Sequence, residues 1–115
     1  MSTDRLPGPS SDVPWFTAQL ETNSHGVHAR LVGELDLASA DQLTGLVAGL
    51  IHDGYRHVLL DLADLALCDA RGLATLLAVQ GMLQETGGAL TITGASPIVR
   101  DVLELTRLTE VLDIE

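Results

Sequence analysis

An apolar strand and an amphipathic helix are joined by Leu67-Cys68-Asp69-Ala70-Arg71-Gly72-Leu73. Before this segment, the run VLLDL at positions 58–62 is nearly continuous in apolar residues, which is typical of a strand covered on both faces. After it, leucines recur at positions 73, 76, 77 and 83 with helical spacing until Gly87-Gly88. The segment therefore predicts the turn of a strand–helix unit in a layered α/β domain.

The residues before this unit predict a β-hairpin and a first helix. Apolar and polar residues alternate at 16–21 and again at 27–32, on either side of the turn-like cluster NSHG at 23–26. Ser39 and Gln42 match a capping box, in which two side chains satisfy opposite free amides at a helix start. Apolar residues at 43, 46, 47, 50 and 51 continue that helix, which Asp53-Gly54 ends.

The residues after the unit predict another strand, a third helix and a final edge strand. Leu90 and Ile92 alternate with threonines, Ser96-Pro97 supplies a cap followed by proline at the first helical position, and VLDI at 111–114 is again strand-like. Three glycines inside the predicted helices, at 45, 49 and 81, indicate close packing of helix on sheet. The predicted fold class is α/β: a single domain whose mixed β-sheet of four to five strands packs against three or more helices.

The composition indicates one domain with an acidic surface. The chain has 115 residues, of which we assign 1–14, rich in Ser, Pro and Gly, to a flexible leader and 15–115 to the domain. No uncharged run approaches the roughly 20 residues that span a bilayer, and no secretory signal is recognisable, so we expect a cytoplasmic protein. The net charge is −10 and lysine is absent, which argues against direct nucleic-acid or membrane binding and favours a basic protein partner.

No catalytic or metal-binding constellation is recognisable in the sequence. Catalysis would need a nucleophile beside a base, or paired carboxylates in a cleft, and the acidic residues are scattered. The four histidines, at 25, 28, 52 and 57, lack zinc-ligand spacing. Cys68, the single cysteine, cannot form an intramolecular disulfide, and its strand context favours an inert buried thiol. We therefore expect no enzyme activity, no metal and no cofactor.

Three landmarks together resemble the STAS family, named for sulphate transporters and anti-sigma factor antagonists. The first is LVGELD at 31–36, similar to the strand that ends in Gly-Glu-Leu-Asp before the first helix of the family. The second is VLLDL at 58–62, similar to the central strand. The third is LCDARGL at 67–73, which resembles the family's Asp-Ser-x-Gly-Leu motif. They occur in the right order and spacing, and the resemblance covers roughly positions 15–115.

The resemblance implies partner switching, with one departure. In the bacterial regulators of the family, the unphosphorylated domain binds an anti-sigma factor with a serine-kinase fold and so frees a sigma factor. Phosphorylation of the motif serine, at a helix N-terminus that tolerates an anion, separates the two proteins. Ala70 occupies that phosphoacceptor position here, and a methyl group cannot accept phosphate. The resemblance therefore implies an antagonist that is not switched by phosphorylation at this motif.

The residues expected to bind the partner lie in this motif and in the loop after the Gly-Glu-Leu-Asp strand. We expect Asp69 to cap the helix, Gly72 to allow close backbone approach, and Thr75 to be exposed, so that it is a candidate substitute phosphoacceptor. Arg71 opposes the helix dipole, and either it pairs with Asp36 or Glu34 or it meets an acidic patch on the partner. Ser39 and Ser96 are expected to be helix caps. The full set of candidate partner-binding residues is Glu34, Asp36, Ser39, Asp69, Ala70, Arg71, Gly72 and Thr75.

A second function belongs to a different class of protein. Similar small domains dock as accessory subunits on membrane transport ATPases, and some of these domains do not depend on a phosphoserine. Ala70 favours this second function. The strong acidity and the detailed Gly-Glu-Leu-Asp match favour the sigma-factor branch instead. A scaffold role in a larger sensory assembly is a third alternative, and self-association is left open.

Overall fold

The computed structural model describes residues 16–24 and 26–115. Its elements follow the chain in this order: β1 Phe16–Asn23, β2 Gly26–Leu35, α1 Leu37–His52, β3 His57–Cys68, α2 Ala70–Glu85, β4 Ala89–Thr93, α3 Pro97–Leu105, a 3₁₀ turn Leu108–Glu110, and β5 Asp113–Ile114. The expected leader at 1–14 and the first residue of the expected domain lie outside the described residues, so that division stays a prediction. The closing strand is shorter than the expected 111–114.

The five strands form one mixed sheet in the order β1-β2-β3-β4-β5. β1 and β2 are antiparallel, with Asn23 opposite Gly26, which confirms the predicted hairpin. The remaining neighbours are parallel, and each parallel pair needs a crossover that a helix supplies. The predicted fold class, a mixed sheet with three helices, is confirmed.

The longest strand, β3, differs from its prediction in length and in burial. It continues past Leu62 to Cys68, because its pairing with β2 shifts register between Arg30 and Val32 and then resumes. This irregularity breaks the residue alternation that would have marked a longer strand in the sequence. The prediction that both faces are fully covered is wrong, since Leu59 and Asp61 are only half-buried.

One face of the sheet carries the core. Its inward positions belong to a single hydrophobic cluster that all three helices share: Val27, Ala29, Leu31, Val58, Leu60, Leu62, Leu90 and Ile92 from the strands, with Leu43, Val47, Leu76, Val79, Leu83, Val99 and Leu103 from the helices. The opposite positions, among them His28, Arg30 and Thr91, are half-buried or exposed. The helices therefore face one side of the sheet and hold its strand ends in a fixed arrangement.

The starts of two helices differ from expectation. The cap of α1 is Asp36, three residues before the predicted one, and the capping box pairs Asp36 with Ser39 rather than Ser39 with Gln42. Ser96 stands at the cap position of α3, but its hydroxyl donates to the Leu65 carbonyl oxygen at 3.2 Å and makes no cap hydrogen bond. The end of α1 is as predicted: Asp53 caps it and Gly54 has φ +99°.

The explanation expected for the helix glycines is wrong. A Cβ added at Gly45, Gly49 or Gly81 would meet no heavy atom within 4 Å. These positions therefore do not need glycine for close packing of the helices.

Candidate functional site

The carboxyl ends of β2 and β3 meet at one edge of the sheet. Glu34 lies opposite Leu67, and the Asp69 amide donates to the Leu35 carbonyl oxygen at 3.2 Å. Since α1 begins directly after β2 and α2 directly after β3, both helix N-termini start at this edge. The structure thus brings Glu34 and Asp36 close to the start of α2, as the sequence predicted.

Asp69 caps α2. Its backbone is extended, with φ −91° and ψ −172°, and its Oδ1 accepts a hydrogen bond from the Gly72 amide at 2.9 Å. The Asp69 carbonyl oxygen accepts the first helical bond, from the Leu73 amide, also at 2.9 Å. A carboxylate here satisfies a free amide and complements the positive end of the helix. The predicted capping role is confirmed.

Gly72 permits α2 to lie directly against the end of β2. A Cβ at this position would be 2.4 Å from the Leu35 carbonyl oxygen and 3.0 Å from the Cys68 Sγ. Backbone cannot yield easily to such an overlap, so only glycine fits without movement. The predicted close approach is confirmed, and Gly72 is itself buried.

The buried side chain of Ser39 fixes the loop before α1 by hydrogen bonds. Its Oγ accepts from the Asp36 amide at 2.9 Å and donates to the Glu34 carbonyl oxygen at 2.8 Å, while Asp36 Oδ1 accepts from the Ser39 amide at 3.2 Å. Ser39 has no exposed surface. Its inclusion among residues that touch a partner is therefore wrong. It is a positioning residue that fixes Glu34 and Asp36.

Thr75 is also internal. It is 5% exposed, and its hydroxyl donates to the Arg71 carbonyl oxygen at 2.8 Å. The expectation that it is exposed is wrong, because α2 is buried over a wide arc that includes Thr75 as well as Leu73, Leu76 and Val79. A buried hydroxyl bonded to its own helix is not presented for phosphorylation.

Arg71 is exposed and makes no ion pair with Glu34 or Asp36. The ion pairs seen within 16–24 and 26–115 are Arg30–Asp64 and Arg107–Glu110, and His28 Nε2 lies 3.7 Å from Asp61 Oδ2. The interpretation that Arg71 is neutralised by the neighbouring loop is therefore wrong. Among the described residues, no carboxylate forms an ion pair with Arg71, which is a cation in the first turn of α2.

Cys68 lies beneath this helix start. Burial, with a smaller contribution from the Asp69 carboxylate, raises the pKa of its thiol from 9.0 to about 12. A thiol with so high a pKa carries almost no thiolate near neutral pH, which makes it a poor nucleophile. The prediction of a buried, inert cysteine agrees with this environment.

Two leucines of this edge were missed in the sequence. Leu37, the first residue of α1, is 67% exposed, and Leu67, near the end of β3, is 42% exposed. The sequence contained a signal that Leu37 is exposed, because Leu37 is next to the Asp36 cap and outside the apolar stripe of α1. We call Glu34, Asp36, Leu37, Leu67, Asp69, Ala70 and Arg71 the α2 N-terminal surface.

The opposite edge of the sheet has a shallow cavity of about 220 Å³. It lies at the amino ends of β2, β3 and β4, and its lining includes His28, His57 and Glu115. Within the part of the chain that the structure describes, no three His, Cys, Asp or Glu side chains are grouped as a metal site. No helix of that part is long and apolar enough to cross a membrane.

Comparison with known families identifies the fold. A family model described as "Mlab, STAS domain" matches residues 18–113. The chain belongs to the STAS domain family. The resemblance carried by positions 31–36, 58–62 and 67–73 is thereby confirmed.

Relatives of this STAS protein include proteins described as anti-sigma factor antagonists. A protein of Bordetella bronchiseptica named "Putative anti-sigma factor antagonist BtrV" is 35% identical over 77 residues, which cover 67% of this chain and 66% of BtrV. The match thus spans slightly less than two thirds of the relative.

Solved structures show the same fold. The crystal structure of an anti-sigma factor antagonist from Mycobacterium paratuberculosis has a TM-score of 0.75 at 22% identity, covering 95% of this chain and 89% of that one. The Bacillus antagonist SpoIIAA in its unphosphorylated form has a TM-score of 0.73 at 24% identity, covering 86% of this chain and 88% of that one. SpoIIAA has also been solved in a phosphorylated form.

Proposed function

We propose that this STAS protein is a cytoplasmic anti-sigma factor antagonist that binds an anti-sigma factor of the serine-kinase fold and so frees a sigma factor. The binding surface is the α2 N-terminal surface. The complex is not switched by phosphorylation at the motif, and the protein is not an enzyme. Membership of the STAS family and the relatives described as antagonists support the class of function.

The observation that carries the regulatory part is Ala70. It is exposed at the first position of α2, directly after the Asp69 cap. Free amides and the helix dipole would tolerate a phosphate at such a place. The alanine methyl offers no atom to which phosphate can be transferred, and Thr75 and Ser39 nearby are buried. A helix N-terminus without an exposed hydroxyl at its first position supports a complex that is not switched by phosphorylation there.

The charges of this surface describe the partner that fits it. Glu34, Asp36 and Asp69 lie at the same edge of the sheet as the exposed Leu37 and Leu67, and Arg71 is the cation there. The whole chain carries a net charge of −10. A basic partner face with an apolar centre and an acidic group opposite Arg71 complements this arrangement. Nucleic acid and anionic lipid would be repelled by the same charge.

The second candidate function is an accessory subunit that docks on a membrane transport ATPase. The observation in its favour is again Ala70, since a docking role needs no phosphoacceptor. The two candidates differ in the identity of the partner.

An affinity pull-down of the tagged chain from a lysate of its own source, with the partners identified by mass spectrometry, separates these functions. Recovery of a kinase-fold anti-sigma factor supports the antagonist. Recovery of a transport ATPase with its permease would contradict it and support the accessory subunit. An Arg71→Glu variant controls for specificity, because loss of the partner with this variant ties the capture to the α2 N-terminal surface.

A further inference from the structure

Helix α3 carries a second exposed apolar feature. Ile98, Val102 and Leu105 are spaced by four and three residues, so they align along one side of the helix. Ile98 is 64% exposed, Leu105 is 84% exposed and Val102 is half-buried. A different side of the same helix, with Val99 and Leu103, faces the core and is buried. We call Ile98, Val102 and Leu105 the α3 stripe.

Ile98 and Leu105, the two ends of the α3 stripe, are not needed to hold the helix in place, whereas Val102 between them also packs against the core. Val99 and Leu103 are 0% and 1% exposed and already anchor α3 on the sheet. Single exposed leucines are common on protein surfaces, but Ile98 and Leu105 are aligned with Val102 on one side of α3, which makes this side a candidate interaction surface. In a helix of only nine residues, these three form a second apolar side.

Charges beside the α3 stripe select its occupant. Asp101 lies about 60° around the helix from Ile98, and Glu104 about 60° further, and both are exposed. Arg100, which is also exposed, lies on the far side of these two acids. Pairing of two copies along the stripe would bring Asp101 of each copy toward the same seam, which is unfavourable. An apolar segment flanked by Lys or Arg from another protein fits both features.

The stripe begins at the edge of the sheet that holds the α2 N-terminal surface. The Ser96 hydroxyl donates to the Leu65 carbonyl oxygen at 3.2 Å, which fixes the start of α3 beside the end of β3. Ile98 is in the first turn that follows, and Leu67 is two residues beyond Leu65. A partner seated on Ala70 and Leu67 can therefore extend along α3.

We propose that the partner bound by the α2 N-terminal surface also covers the α3 stripe with an apolar segment flanked by basic residues. This inference rests on the proposed function for the identity of that partner. The α3 stripe is a second contact that does not involve position 70, and it consists of apolar side chains with acidic residues beside them.

The test measures partner binding by titration calorimetry with the protein recovered in the pull-down. Ile98→Asp and Leu105→Asp place a carboxylate on the stripe, and Ala48→Asp places the same group on an exposed position of α1 as a matched control. We expect each stripe variant to raise Kd about tenfold or more, and Ala48→Asp to change it less than about twofold. Asp101→Lys should raise Kd as well and weaken its dependence on salt.

Other outcomes overturn the inference and are distinguishable from failure of the proposed function. If Ala70→Glu weakens binding and the stripe variants do not, the antagonist stands and the second contact is refuted. If sedimentation shows a dimer that Leu105→Asp converts to a monomer, a second copy covers the stripe. If Ile98→Asp lowers Tm far more than Ala48→Asp, the chain covers its own stripe. If the captured protein is a transport ATPase and the stripe variants no longer bind it, the second contact stands and the antagonist function is refuted.

Discussion

Replacing Gly72 with alanine should destabilise the domain at its candidate binding surface. The added Cβ would be 2.4 Å from the Leu35 carbonyl oxygen and 3.1 Å from the Leu35 carbonyl carbon. Leu35 cannot move aside freely, because it is completely buried and its carbonyl oxygen also accepts from the Asp69 amide at 3.2 Å. The start of α2 must therefore shift away from the end of β2.

Two effects of opposite sign set the magnitude. Alanine is favoured over glycine by about 1 kcal/mol within a helix, and overpacking against a fixed core costs about 1–3 kcal/mol. A contact with a backbone atom at 2.4 Å places Gly72 at the upper end of the overpacking range. We expect a net loss of about 1–2 kcal/mol in the free energy of unfolding. For a chain of this size, that corresponds to a fall in Tm of roughly 4–10 °C.

Urea denaturation followed by circular dichroism at 222 nm measures this loss as a lower midpoint with an unchanged slope. Gly81→Ala is the matched control, because Gly81 lies in the same helix and has no heavy atom within 4 Å of an added Cβ. This control should gain stability, by up to about 1 kcal/mol. Equal shifts for both variants would refute the argument that α2 is pressed against Leu35.

Four further predictions concern single positions. Gly45→Ala, on an exposed and uncrowded part of α1, should raise the free energy of unfolding by about 0.5–1 kcal/mol in urea denaturation, and a loss would show a hidden contact. Arg107→Gly should raise it by up to about 1 kcal/mol in the same assay, because Arg107 has φ +63° and its ion pair with Glu110 is exposed; a loss above about 1 kcal/mol would contradict this. Cys68, with its pKa raised to about 12, should resist alkylation at pH 8 until the chain unfolds, and rapid alkylation of the folded chain would contradict its burial. Because the pKa of this thiol is higher in the folded chain than the 9.0 of the unfolded chain, its contribution to stability is complete below pH 9 and is lost as the pH rises toward 12. Ala70→Glu should weaken partner binding at least about tenfold in titration calorimetry by setting a carboxylate at the centre of the surface, and unchanged affinity would place the interface elsewhere.

The sequence predicted the parts of the fold that local chemistry determines. The hairpin followed from the alternation of apolar and polar residues on either side of 23–26, and the end of α1 followed from Asp53-Gly54, where Gly54 takes a positive φ. Asp69 and Gly72 were predicted in their observed roles, because a cap and a close approach are both specified within a few residues. These signals need no knowledge of distant neighbours.

The errors arose where tertiary context decides. Asp36 and Ser39 are both good cap residues. The apolar stripe of α1 begins only after Ser39, because Leu37 in the first turn is exposed, and this favoured Ser39 as the cap instead of Asp36. Thr75 was predicted to be exposed because it lies off the leucine stripe, but the buried side of α2 is wide enough to include it. Its hydroxyl can be buried there because it bonds to the Arg71 carbonyl oxygen.

The isolation of Arg71 also depends on tertiary geometry. The sequence left two interpretations open, and both required Arg71 to find an acidic partner. Glu34 and Asp36 lie at the same edge of the sheet, yet the Asp36 carboxylate is engaged with the Ala38 and Ser39 amides. The direction of a carboxylate is set by the local capping box, which residue spacing alone does not reveal.

The lifetime of the complex with the kinase-fold anti-sigma factor in the presence of Mg-ATP shows whether this protein binds its partner without a phosphorylation switch. It is followed by surface plasmon resonance for the wild-type chain and for Ala70→Ser, and phosphopeptide mapping is carried out on the same samples. We expect the wild type to stay bound and unmodified, whereas Ala70→Ser acquires phosphate at position 70 and dissociates faster. Phosphorylation of the wild-type chain with release of the partner would show that this protein is switched despite Ala70.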